Sequence, residues 1–332
     1  MKFIILFLLF SMQIFSQINV CFEIEENPNQ NISALQLFTK YVNVLDCIHI
    51  YAEESISDSK VLHAASIAAE LLDNNEDGLI DDLNVFDALS NKNTIMPLFS
   101  YEGSNAEDLL FDNFDLLFEQ YNYCAGAVLY NNEIDPNNAG FWSYDASVEE
   151  ILHTINACSH VEIYPDIFGL EPNSSQMSDA MDIARGGQFI SIPQNYPEEA
   201  WYHYDDWTCD YECMAMEYLY WCIVTNMGLL DNNMICNGIS DEWELCNQQD
   251  FESTDNLMYS IITNPDFKIP QNAPDGNYCP NQSNLNDEKL INKKVLYSLD
   301  ILGRLVEDNY YGIKIDVYNT GYIQKKINYK IK

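Results

Sequence analysis

The chain has 332 residues, 47% of them apolar, with 52 acidic and 15 basic side chains and a formal charge of −37. That length and apolar content suffice for one large core or two smaller ones. The charge excludes nucleic acid and anionic membranes as partners, because phosphate binding needs concentrated Lys and Arg.

The chain opens with the pattern of a signal peptide over residues 1–16. Lys2 supplies a positive start, residues 3–10 are an unbroken apolar run, and residues 11–16 offer a cleavage point, placed between Ser16 and Gln17. The run is shorter than the ~20 apolar residues that span a bilayer, and no later segment reaches that length, so no membrane span is expected. A main acidic globular domain is expected over 17–280, then an Asn-rich linker and a more basic C-terminal segment over 281–332. Nine of the fifteen basic residues lie from Lys289 onward, whereas Val61 to Glu288 contains only Lys92, Arg185 and Lys268. All ten cysteines lie beyond the cleavage point and contain no CxxC pair, which favours disulfides in an oxidising compartment over a zinc–cysteine cluster. Sequons at Asn31, Asn173 and Asn281 are glycosylation acceptors in a eukaryotic host.

Apolar residues at helical spacing predict helices over 34–54, 59–72, 106–121, 147–157, 178–184 and 210–227. Short β-like runs occur at 95–99 and 125–130. Near the end, 312–318 and 322–329 flank Asn319-Thr320-Gly321, which reads as a β-hairpin. The fold class expected is mainly α with short β-strands (α+β), with a zincin-like helical core and a small C-terminal hairpin.

Directly after the second predicted helix lies Asp73-Asn74-Asn75-Glu76-Asp77-Gly78-Leu79-Ile80-Asp81-Asp82. Oxygen donors at alternate positions suit a hard cation. Asp73, Asn75 and Asp77 supply side-chain oxygens, Gly78 permits the sharp turn, and Leu79 offers its carbonyl. The loop, 73–84 in full, resembles the calcium loops of EF-hand and dockerin-type proteins. It departs from the EF-hand at its twelfth position, where Asn84 replaces the bidentate Glu, and Asp81 or Asp82 is the candidate to close the site instead.

The helix predicted over 147–157 carries Glu149-Glu150-Ile151-Leu152-His153. Residues three and four apart share a helix face, so both glutamates lie near His153. The arrangement resembles the zincin H-E-x-x-H motif with its first His replaced by Glu. That likeness implies Glu149 and His153 as zinc ligands and Glu150 as the general base. A third ligand is expected from the helix over 210–227. Glu217, mid-helix among Tyr218, Tyr220 and Trp221, is favoured over Glu212, whose place near the helix start is explained by the helix dipole. A competing reading makes Ser147-Val148-Glu149-Glu150 a capping box, which accounts for Glu150 without chemistry. Arg185, beside Gly186 and Gly187, is a candidate for binding a substrate carboxylate or for pairing with Asp182. His203, in an aromatic and acidic stretch, is a second candidate substrate contact.

His63-Ala64-Ala65, the loop from Asp73, Glu149 to His153, Tyr164-Pro165, Ala180 to Phe189, Tyr196-Pro197 through to Trp221, and Pro274 to Tyr278 together resemble a family of secreted proteins of uncharacterised function. The likeness runs from Val61 to Tyr278 and implies no known activity. The expected function is that of a secreted, calcium-stabilised, zincin-like metalloprotein, a metallopeptidase or other zinc-dependent hydrolase with a protein or peptide substrate. The alternative is a non-catalytic extracellular binding or structural glycoprotein held by disulfides and calcium.

Overall fold

A computed structural model describes residues 21–280, 295–300, 303–306, 312–318 and 323–328. The expected signal peptide, the Asn281 sequon, the rest of the linker and the Asn319-Thr320-Gly321 turn lie outside the described residues. The chain divides into two units, the first ending at Cys279 and the second starting at Pro280.

The first unit's sheet lies between two apolar clusters that take alternate residues of its central strands. Its order is β1-β2-β3-β4-β5, with β1 at Glu25–Glu26, β2 at Lys40–Val44, β3 at Ile48–Ala52, β4 at Thr94–Phe99 and β5 at Leu129–Tyr130. The first three strands are antiparallel, whereas β3–β4 and β4–β5 pair in parallel. The helix expected over 34–54 is thereby corrected to a 3-10 turn at Ser33–Leu35 and the β2–β3 hairpin. The physical reason is a period of two. Val42, Val44, Ile48 and Ile50 join one core cluster, and Tyr41 and Tyr51, cross-strand partners, join the other. No glycine marks the turn, because Leu45 and Asp46 themselves take left-handed backbone (φ 49° and 59°) while Cys47 N–H donates to the Val44 carbonyl.

The crossover from β3 to β4 runs through α1 (Asp58–Leu72), the acidic loop and α2 (Leu83–Asn91). The next crossover uses α3 (Asn105–Asp112) and α4 (Phe114–Tyr121), so the helix expected over 106–121 is broken at Asn113. Then come α5 (Ser147–Ile155), a π-helical turn at Asn156–His160, α6 (Val161–Ile163), α7 (Pro165–Phe168), α8 (Gln176–Ala184) and α9 (Tyr211–Asn226). The unit ends with α10 (Asn233–Gly238), α11 (Gln248–Thr254) and α12 (Asn256–Ile262), which makes the whole a helix-dominated α+β fold. α1 is buried almost all round, as Val61, Ala64, Ala65, Ile67, Ala68, Ala69, Leu71 and Leu72 require, and it contacts β2, β3 and α5. α9 is likewise buried and meets α5, α8, α11 and α12.

Four disulfides, Cys21–Cys279, Cys124–Cys158, Cys209–Cys213 and Cys236–Cys246, cross-link the first unit, and Cys47 and Cys222 are buried thiols. Such cross-linking fits an extracellular protein. Among the described residues no helix is long and apolar enough to cross a membrane. In the second unit, β6 (Val295–Asp300), β7 (Gly312–Tyr318) and β8 (Ile323–Asn328) form an antiparallel sheet. β7 and β8 pair as the expected hairpin strands, from Gly312 opposite Asn328 to Val317 opposite Ile323, and β6 adds a strand the sequence pattern did not reveal.

Candidate metal centre

α5 is anchored at its start by Asp145. One carboxylate oxygen accepts from Ser147 Oγ (2.7 Å) and Asp135 N–H (3.1 Å), the other from Gly140 N–H (2.8 Å), with His63 Nε2 at 2.9 Å from it. Burial opposes the charge on Asp145, but the His63 pairing and these hydrogen bonds hold its pKa below the usual value. The helix begins at Ser147 after an Ala146 cap and has no side-chain cap, so the capping-box reading of Ser147 and Glu150 is corrected. Ser147 is spent on Asp145, which leaves Glu150 without a capping role.

One turn on, Glu149 and His153 share a face and meet Glu217 of α9. Each of these three residues offers a donor atom within 4.8 Å of the others. Nε2 of His153 lies 3.4 Å from a Glu217 oxygen, and neither ring nitrogen of this buried histidine has a hydrogen-bond partner. Tyr220, on the same helix as Glu217, places its ring 5.7 Å from that of His153 and its hydroxyl against Glu149. Among the described residues no Lys or Arg forms an ion pair with Glu149, Glu150 or Glu217. The electrostatics reflect that shortage of cations. Burial pushes Glu150 up to about 8 and Glu149 to about 7, with neighbouring carboxylates adding to both. Burial works against a charged His153, yet Glu217, Glu150 and Glu149 around it hold its pKa at about 9. A carboxylate cluster around an imidazole whose nearest carboxylate is Glu217 at 3.4 Å suits a cation that accepts both oxygen and nitrogen donors.

The cluster faces a cleft of about 620 Å³ whose lining includes Glu150, His153 and Glu217 together with Phe111, Ala125 and Met216. Glu212 and Cys213 also line it, so Glu212 borders the cleft without joining the triad. One wall is the segment 125–128, fixed to the π-helical turn by the Cys124–Cys158 disulfide. Gly126 makes the approach possible, since a Cβ there would stand 2.6 Å from Thr154 Cα and 2.7 Å from the His153 carbonyl oxygen. A π turn within a helix is uncommon and recurs at functional sites.

The remaining candidates sit elsewhere. Arg185 is fully buried, donates to the Phe189 carbonyl (2.9 Å) and lies 5.3, 5.9 and 5.8 Å from the rings of Phe189, Tyr196 and Tyr211. The expected pairing with Asp182 is not formed. Asp182 is taken by the Tyr211 hydroxyl and Gln188, and Arg185 stands as a cation in an aromatic cage. His203 is tied to the Ala200 carbonyl (2.8 Å) and is absent from the cleft lining.

In the acidic loop, Asp73 is buried and accepts from Asp77 N–H (3.1 Å), Gly78 N–H (2.7 Å) and the Tyr278 hydroxyl (2.7 Å). Asn75 accepts from Asp77 N–H and Asp77 from Leu79 N–H, while Asp81 accepts from Asn74 N–H and from the Asn75 amide. Asp82 turns away. Its oxygens accept from Asn84 N–H (2.7 Å), capping α2, and from the Tyr164 hydroxyl (2.8 Å). Asn74 clamps the loop to Gln271 and Asn272 through four hydrogen bonds. Sequence reasoning gave no role to His63, Asn74, Asp145 or Gly126, although His63 and Asn74 stand in motifs it singled out. Of these only Asp145 carried a cue to its role, an acid just before a predicted helix start.

No family model, curated protein or solved structure matches the chain.

Proposed function

We propose that this protein is a secreted, calcium-stabilised metalloprotein that hydrolyses a peptide or protein substrate in the cleft beside Glu149, His153 and Glu217. The observation that carries the reading is the convergence of those three donors, two of them cleft-lining, around an imidazole with no other partner. Glu149, His153 and Glu217 hold zinc, in keeping with the zincin-like spacing of the helix. When bound, zinc supplies Lewis acidity toward a carbonyl oxygen and toward water. Glu150, one residue from a ligand and open to the cleft, receives the proton of the attacking water on its carboxylate and returns it to the leaving amine. The apolar wall formed by Phe111, Ala125 and Met216 takes an apolar side chain and excludes bulk water. The loop at 73–82 holds calcium as a structural clamp, with Asp73, Asn75, Asp77, Leu79 and Asp81 as donors. The likeness from Val61 to Tyr278 to a family of secreted proteins belongs to the same reading.

Elemental analysis of protein folded with zinc tests it. Wild type should carry one zinc, His153→Ala none, and Glu217→Ala much less. Glu150→Gln should keep the metal while peptide turnover falls roughly 10²–10⁴-fold. Wild-type protein that takes up no transition metal would leave the non-catalytic, disulfide-held glycoprotein as the better account.

A further inference from the structure

We propose that a second recess, formed over the Tyr41–Tyr51 face of the β2–β3 hairpin, binds a neutral saccharide of the N-acetylhexosamine type. The recess measures about 430 Å³, within the size range of small-molecule sites, and shares no residue with the candidate metal centre. Its walls are Tyr41, Tyr51, Tyr121 and Tyr123, His49, and the amides of Asn29, Asn31 and Asn93, with Ile32 as the single aliphatic contribution.

The chemistry of that lining selects the ligand class. In a chain with 52 acidic residues, none of the lining residues is a carboxylate, so the recess offers a cation no carboxylate ligand. None is Lys or Arg either, which leaves a phosphate or carboxylate ligand unneutralised. Burial lowers the pKa of His49 and raises those of Tyr41, Tyr51 and Tyr123, so imidazole and phenols are uncharged near neutral pH. A wholly apolar ligand would strip water from hydroxyls and amides without replacing their hydrogen bonds. A neutral pyranose meets each requirement: its hydroxyls and acetamido group pair with phenol, imidazole and amide groups, and its C–H face lies on a tyrosine ring.

The recess is also set in advance. Asn27 donates to the carbonyls of Leu35 (2.7 Å) and Phe38 (2.9 Å) and accepts from Asn29 N–H (2.8 Å). Asn29 in turn donates to the Tyr51 hydroxyl (2.7 Å), the Tyr41 hydroxyl pairs with His49 Nδ1 (2.8 Å), and Asn93 donates to the Tyr121 carbonyl (3.0 Å). Tyr121 stands at the rim, 42% exposed. Binding therefore orders little beyond the ligand. Asn31, which belongs to the Asn31-Ile32-Ser33 sequon, is itself a wall residue. The same sugar chemistry thus has two sources, a free saccharide or the first sugars of a glycan attached at Asn31.

N,N′-diacetylchitobiose, the core of an Asn-linked glycan, serves as probe for both sources. Unglycosylated protein titrated with it should give saturation-transfer NMR signals on the sugar protons. Tyr121→Ala and Tyr41→Phe should weaken the affinity at least tenfold, with the melting temperature of the exposed-site variant Tyr121→Ala unchanged. Protein secreted from a glycosylating host separates the sources. If its own glycan fills the recess, the probe fails to bind wild type but binds Asn31→Gln. If the ligand is free, the probe binds both. Absence of probe binding to folded, unglycosylated wild type, or binding that both tyrosine variants leave unchanged, overturns the proposal.

Discussion

At Gly126 the cleft wall and the candidate metal helix are separated by less than the width of a methyl group. The atoms an added Cβ would strike are backbone, Thr154 Cα and the His153 carbonyl oxygen, so no side chain can swing aside to relieve the overlap. Gly126→Ala should therefore destabilise the fold by about 1–3 kcal/mol in chemical denaturation, the range for overpacked sites, and an unchanged midpoint would refute the close approach. This constraint was not legible in the sequence, because it depends on a contact between segments that only folding brings together. The triad was legible for the opposite reason. Glu149 and His153 are linked by helical spacing alone, and Glu217 stood out as a carboxylate in an aromatic stretch of helix. The surroundings of Arg185 were not legible, because its neighbours in space are three rings that the fold brings around it.

Single elements carry more than one task, and α1 shows it best. Its His63 pairs with Asp145 to anchor α5, its Glu70 accepts from Asp275 and Gly276 N–H, and its end delivers Asp73 to the acidic loop. Burial, with Asp275 and Glu76 adding repulsion, raises Glu70 to about 7, above its value in an unfolded chain. An acid whose folded pKa is raised holds its proton longer when folded, so stability falls as pH rises from about 4 to about 7 and is level beyond. In chelator, Glu70→Gln should remove that slope while keeping an oxygen for the two N–H groups, and equal pH profiles for variant and wild type would contradict the assignment. The loop makes its own prediction. Calcium should raise the wild-type melting temperature, by about 2.7 kcal/mol of stabilisation at a hundredfold excess over the dissociation constant, and Asp73→Ala or Asp77→Ala should abolish the increment. Equal wild-type melting temperatures in calcium and in chelator would exclude calcium binding. At this scale the sequence was legible wherever a helix was long and rich in apolar residues, as in α1 and α9. It was not legible in the β2–β3 hairpin, whose turn has no glycine and places Leu45, a residue without turn preference, in left-handed backbone beside Asp46.

Over the whole molecule, the ends of the first unit meet in one covalent bond. Cys21 and Cys279 are 258 residues apart in sequence, so their disulfide closes nearly the entire unit. Loop-closure entropy gives such a bond about 5 kcal/mol, because it removes extended states from the unfolded chain and leaves the folded contacts as they are. The folded contacts beside it are separately secured. Tyr278 donates to Asp73, Asp275 and Gly276 donate to Glu70, and the ring of Phe22 stacks on that of Tyr278 at 5.9 Å. The two effects can therefore be separated in one variant. Cys21→Ser with Cys279→Ser should lose roughly that amount of stability in chemical denaturation. Its zinc content should equal that of wild type, since Glu149, His153 and Glu217 sit on α5 and α9, which the other three disulfides and the core still hold. Loss of metal along with stability would show instead that the terminal bond positions the centre, and a midpoint equal to that of wild type would show that the unfolded chain gains little freedom when the bond is absent.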